Sequence, residues 1–181
     1  MLHKLITSQD VQEILKEVFA NLPSHKYDVG QKVISELCSK LTEQITSHHF
    51  AKKLNIEVVA GKHDVDHDVL FKFTPDTVPL EIKVAQTTGA KCNRVKFRGG
   101  GLTDRSCDYL FIARNKECTE FFVALCHTTT TDWVSQKTAY FAPSVFEETL
   151  FNKSATVLWG SFGTQDKGRR KGKPIIKLEK L

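Results

Sequence analysis

The stretch from His67 to Val84 constrains the fold more than any other part of the chain. Two β-prone runs, His67–Phe73 and Val78–Val84, flank Thr74-Pro75-Asp76-Thr77, and a Pro-Asp pair between apolar runs is a turn signal. The pattern predicts a β-hairpin. Strand side chains alternate between faces, so Leu80, Ile82 and Val84 share one face while Glu81 and Lys83 share the other. With Thr74 to Thr77 as the loop and Phe73 paired with Val78, Asp68 falls opposite Lys83 and diagonal to Glu81. Asp66 has the parity of Asp68, so a slip of two residues exchanges them.

Two acids and a lysine brought together in this way have a definite chemistry. Mg²⁺ takes oxygen ligands in an octahedron, commonly one or two protein carboxylates with water and phosphate in the remaining positions. Asp68 and Glu81 are the candidate carboxylate ligands, and the Ile82 carbonyl, between Glu81 and Lys83, is a third oxygen. The Lys83 ammonium is placed to steer an attacking water or to stabilise charge on a phosphate. The pattern suits phosphodiester hydrolysis, with Asp68, Glu81 and Lys83 as the catalytic set.

Asp68, followed after twelve residues by Glu81-Ile82-Lys83, resembles the Asp…(Asp/Glu)-X-Lys signature of the PD-(D/E)XK nuclease superfamily, which includes many type II restriction endonucleases. The basic run Val95-Lys96-Phe97-Arg98-Gly99-Gly100 and the apolar Asp108-Tyr109-Leu110-Phe111-Ile112 resemble restriction-enzyme sequences as well, though less specifically. The residue before Asp68 is His67, where the family often has proline. The resemblance implies a restriction-endonuclease-like fold and a Mg²⁺-dependent endonuclease acting on double-stranded DNA. Mn²⁺ is the expected substitute ion, a 5′-phosphate the expected product end, and a homodimer the expected assembly, because two active sites address both strands of a palindrome. Related nucleases often carry an acid on the helix before the hairpin and a polar side chain just after the lysine. Glu36 and Glu43 are the acids available, and both turn away from the centre of the apolar stripe. Glu36 is kept as a weak candidate, with Asp66 and Gln86. A structure-specific resolvase or repair nuclease, and a noncatalytic DNA-binding module, are the alternative readings.

Charge points the same way. Lys and Arg number 26 against 21 Asp and Glu, a formal charge of +5 that favours a polyanionic partner. Lys91, Arg94, Lys96, Arg98 and Arg105 surround three consecutive glycines from 99 to 101, and Arg169, Arg170 and Lys171 lie in a second basic run from 167 to 173. Both are candidate DNA-phosphate contacts; a solvated loop and a hairpin tip are the plainer readings. His63 and His67 are candidate proton shuttles or surface residues.

The rest of the chain reads as one domain, residues 1–181. At this length a single hydrophobic core is expected, and the order of elements predicts an α/β protein with a central mixed sheet of about five strands flanked by helices. Val11, Ile14, Leu15, Val18, Phe19 and Leu22 recur at helical spacing over 8–22. A second helix is expected after Asp28, its N-cap, burying Val33, Ile34, Leu37, Cys38, Leu41 and Ile45. Further strands are expected at 56–60, 108–113, 120–126, 156–159 and 175–178, with a late helix at 145–151. Five cysteines without a Cys-X-X-Cys pair read as a reduced, cytoplasmic chain and as small buried hydrophobes, not a zinc site. Trp133 and Trp159 read as packing residues. No apolar run approaches the ~20 residues needed to cross a bilayer.

Overall fold

The computed structural model describes residues 2–22, 30–61, 67–88, 95–99, 106–136, 139–141 and 146–181. Helix α1 spans Ser8–Asn21 and begins at a capping box: the Thr7 side chain accepts from the Asp10 amide, and the Asp10 carboxylate accepts from the Thr7 amide. Its apolar stripe, Val11, Ile14, Leu15 and Val18, is buried. Helix α2 runs Gln31–Leu54 and ends where Asn55 turns into the left-handed region, φ 51°. Then follow β1 (Glu57–Ala60), β2 (Val69–Lys72), β3 (Thr77–Gln86), β4 (Arg98–Gly99), β5 (Cys107–Arg114), β6 (Glu120–Thr128), β7 (Val134–Gln136) and β8 (Ala139–Phe141). Helix α3 (Phe146–Asn152), β9 (Thr156–Trp159), β10 (Ser161–Thr164), β11 (Pro174–Lys177) and β12 (Glu179–Lys180) complete the chain.

The protein is a mixed α/β structure around a seven-stranded sheet, two strands more than the pattern predicts. Its order is β1-β2-β3-β5-β6-β12, with β9 also paired to β6. Among the described residues only β3–β5 is parallel, over seven residue pairs from Leu80↔Asp108 to Gln86↔Arg114; the other pairings are antiparallel. Helices cover both faces. Leu80, Ile82, Leu110, Ile112, Phe121 and Val123 pack with the apolar residues of α1 and α2. Their neighbours in sequence, Tyr109, Phe111, Phe122 and Ala124, pack on the other side with Leu150 of α3, Trp133 and Ile176. This continuous burial on both faces is why β5 and β6 read as unbroken apolar runs. Trp133 rests against Tyr109 and Phe111 and gives its indole N–H to Thr128, as a packing residue does.

Helix α2 buries a different stripe from the expected one. Cys38 and Ile45 are inside, but Val33 and Leu37 are exposed, and the buried face continues through Thr42, Glu43, Thr46, Ser47 and Phe50. Thr42 donates to the Cys38 carbonyl and Ser47 to the Glu43 carbonyl, while the Thr46 hydroxyl is buried without a partner among the described residues. Asp28 lies outside the described residues, and Gly30 takes the N-cap position. The helix is tied to the sheet by the fully buried Arg114 at the end of β5, which reaches Ser35 Oγ at 2.7 Å and the Asn115 carbonyl at 3.1 Å.

The hairpin forms, but two residues out of the expected register. Val69 pairs with Leu80, Phe71 with Val78, and Lys72 with Thr77, so Phe73 belongs to the loop and not to the strand. Continued one step, this register sets Asp68 opposite Glu81 instead of Lys83. A shift of two leaves every side chain on its own face, so alternation cannot detect it. Pro79 is tolerated inside β3 because the β5 ladder begins only at Leu80.

Candidate active site

The group forms where β2 stops and β3 continues. Beyond Leu80, β3 has no β2 partner, and the Ile82 amide instead donates to Asp68 Oδ2 at 2.8 Å. The amide and carbonyl of one strand residue point to the same edge, so the Ile82 carbonyl faces the same gap. The Asp68 amide returns a bond to Glu81 Oε2 at 3.2 Å. Lys83 Nζ lies 3.6 Å from Asp68 Oδ2 and pairs closely with Glu81 Oε1. Asp68, Glu81, Ile82 and Lys83 are thus gathered by one strand and the first residue before its partner.

His67 joins them. Its Nδ1 is 3.4 Å from Glu81 Oε2 and 3.6 Å from Cys107 Sγ. The sequence marks it only as a neutral-pH titrant beside an acid, and strand pairing is what turns it inward. His63 and Asp66 lie outside the described residues.

Glu43, not Glu36, is the helix acid near this group. Glu36 is exposed and paired with Lys32 across one turn of α2, 3.7 Å away. Glu43 is buried, bonded by Lys40 Nζ at 2.6 Å, and its charge acts on both Asp68 and Lys83. The discriminating fact is the buried stripe of α2, which is polar at Thr42, Glu43, Thr46 and Ser47 and so defeats a reading by hydrophobic period.

Charge crowding sets the protonation behaviour. Burial, reinforced by Glu81 and Glu43, pushes the Asp68 carboxyl up to about 6 against the opposing pull of Lys83 and the Ile82 amide. Burial also opposes ionisation of Glu81, but His67, Lys83 and the Asp68 amide outweigh it and hold that carboxyl below its ordinary value. Lys83 is buried too, and Glu81, Asp68 and Glu43 together raise it above the usual lysine range. The lysine therefore serves as a fixed positive charge and not as a base.

No known family model matches this chain, and no curated protein or solved structure is significantly similar to it.

Among the described residues, no three His, Cys, Asp or Glu side chains converge as a ready metal cage. Two carboxylates and one backbone carbonyl are nevertheless the hard-oxygen set that Mg²⁺ takes when water and phosphate fill its other positions. Asp68 Oδ2 takes the Ile82 amide and faces Lys83. Hard oxygens predominate among these donors and fit Mg²⁺, with the His67 imidazole as the nitrogen beside them.

The other candidates scatter. Gln86 ends β3 on the parity opposite to Glu81 and Lys83. Lys96 and Arg98 are exposed, while Lys91, Arg94 and Arg105 lie outside the described residues. The second basic run is the tip of the β10–β11 hairpin, with Gly168 and Gly172 at positive φ. Arg169 and Lys171 are exposed there, but Arg170 is bonded to the buried Glu147 of α3 at 3.2 Å and Lys173 to Glu148 at 3.0 Å. Among the described residues, Cys38, Cys107, Cys118 and Cys126 are free thiols, and no helix is long and apolar enough to cross a membrane.

Proposed function

We propose that the protein is a Mg²⁺-dependent endonuclease of the PD-(D/E)XK type, with a restriction-endonuclease-like core, acting on double-stranded DNA as a homodimer. The observation that carries the reading is the meeting of Asp68, Glu81, the Ile82 backbone and Lys83 at the one place where β3 loses its antiparallel neighbour. Asp68, Glu81 and the Ile82 carbonyl would hold the ion, which when bound supplies Lewis-acid stabilisation of the phosphate and a more acidic water. Lys83, kept charged by its two carboxylate neighbours, orients the water and offsets negative charge developing on the phosphorus oxygens. His67 and the Asp68 amide hold Glu81 in place. Glu43 adds a third negative charge behind the group.

The crowding supports a functional role: Asp68 shares one lysine with the buried Glu81, feels the buried Glu43 and is raised, an imbalance that a bound cation would relieve. The test is incubation of the protein and its Lys83→Ala variant with long unmethylated duplex DNA, with Mg²⁺ or with EDTA, followed by end sequencing. Discrete Mg²⁺-dependent fragments sharing one terminal sequence, absent for the variant, are the expected outcome. Cleavage of branched or mismatched DNA alone would make it a structure-specific nuclease. Metal-independent binding without any cleavage would make it a binding module.

A further inference from the structure

Among the described residues, Lys40 is a charged neighbour of the candidate site that the hydrolytic reading leaves unused. Lys40 lies one turn before Glu43 on α2, with Nζ 2.6 Å from Glu43 Oε2. Its side chain is 54% exposed, whereas that of Glu43 is only 10% exposed. The ammonium therefore stands between solvent and a buried acid whose charge reaches Asp68 and Lys83.

Charge counting gives this position a meaning. Among the described residues, and with each group in its ordinary charged form, the site holds three carboxylates (Asp68, Glu81 and Glu43) and two ammoniums (Lys83 and Lys40), a sum of −1. One divalent cation brings it to +1, and one phosphodiester brings it to zero. Without Lys40 the metal-loaded site would be neutral instead of +1, and the complex with the strand would end at −1. The exposed tip and four-carbon stem let this lysine change partner without moving the helix.

Resting on the endonuclease reading, we propose that Lys40 is a substrate-phosphate ligand. In the metal-free protein it is the counter-ion of Glu43. When metal and DNA are both present, it transfers to a non-bridging oxygen of the bound strand.

This role moves two affinities in opposite directions, which a plain surface ion pair would not do. Lys40→Gln uncovers the charge of Glu43, so Mg²⁺ titrated into the full chain in a calorimeter should bind about fivefold more tightly. DNA binding, measured with Ca²⁺ in place of Mg²⁺, should weaken about tenfold, and its logarithmic salt slope should fall by about one. Cleavage should show a raised KM with kcat little changed, and Lys40→Arg should restore DNA affinity. Glu43→Gln should weaken Mg²⁺ binding, the opposite of Lys40→Gln.

If the natural chain takes up no Mg²⁺ and cuts no DNA, the endonuclease reading falls and Lys40 with it. If the natural chain does both, and Lys40→Gln leaves metal affinity and salt slope unchanged, only the role of Lys40 is overturned.

Discussion

Two carboxylates in this molecule, one buried and one half-buried, have opposite fates. Asp10, on α1, is 5% exposed and surrounded by donors: His49 Nε2 at 2.9 Å, Lys53 Nζ at 2.7 Å, and the amide and hydroxyl of Thr7. Burial would raise it, but these partners outweigh burial and hold it down at about 2. Asp68, 18% exposed, shares its lysine with Glu81 and feels Glu43 as well, and it rises to about 6. The first acid joins α1 to α2 and is fully compensated within the chain. The second is left short of positive charge, and that deficit is what separates a site from a structural ion pair.

The largest expected difference is in activity. Lys83→Ala should lower Mg²⁺-dependent cleavage at saturating DNA by about 10³-fold, whereas Lys53→Ala, which strips the other acid of its lysine, should leave the rate unchanged. A cleavage time course on both variants decides it, and equal losses would erase the distinction between the two groups.

Stability comes next, and with opposite signs. Asp10→Ala removes a capping box and leaves His49 and Lys53 without their shared partner, at a cost of about 3 kcal/mol in urea unfolding at pH 7. Because its native value is depressed, Asp10 contributes in full above its ordinary value near 3.8 and loses that contribution as pH falls toward 2. The penalty of Asp10→Asn should therefore fade in acid.

Asp68→Asn should instead stabilise the metal-free protein, by about 1–2 kcal/mol at pH 8. Between about pH 4 and 6 the native state holds a proton on Asp68 that the unfolded chain has released, so natural stability falls as pH rises through that window. The variant cannot ionise there, and its advantage should disappear near pH 4. Thermal midpoints at the two pH values measure it, and a destabilised variant at pH 8 would mean that Asp68 is compensated after all.

The smallest effect concerns the β10–β11 tip. Neutralising Arg169 and Lys171 together should lower DNA affinity only severalfold and reduce the logarithmic salt slope by about two, with no change in unfolding. Arg170→Ser should do the reverse, because its guanidinium is committed to Glu147. A filter-binding series across salt, set beside urea curves, separates the two roles.

Much of the architecture was legible because its signals are local. The α1 stripe, the Pro-Asp turn and the apolar runs of β5 and β6 each need only neighbours in sequence. The grouping of Asp68, Glu81, Ile82 and Lys83 was legible for the same reason, since a hairpin brings nearby residues together. The register was not, because a slip of two residues preserves alternation. Glu43 was hidden by a helix whose buried face is half polar, and Val33 and Leu37 looked like core because their spacing suits a stripe that α2 does not bury. His67 acquires its partners only in three dimensions, and the Lys40–Glu43 pair, local to one turn of α2, gains its bearing on the group only from where Glu43 sits. The strands β7 and β8 are only three residues long, and β10, Ser-Phe-Gly-Thr, carries a single large apolar side chain.

One half of the group is clamped and the other is merely held. β3 is locked to β5 along seven residue pairs, so the backbone of Glu81 and Lys83 moves only with the whole sheet. Asp68 stands outside the β2 ladder and is fastened by its exchange of bonds with Ile82 and Glu81. In deuterated water, the amides of Glu81 and Lys83 should be among the last to exchange, whereas those of Asp68 and Ile82 should exchange well before them. The molecule thus carries a rigid jaw and a yielding one. An arriving ion or strand has only the Asp68 side to rearrange, and the sheet beneath it need not open.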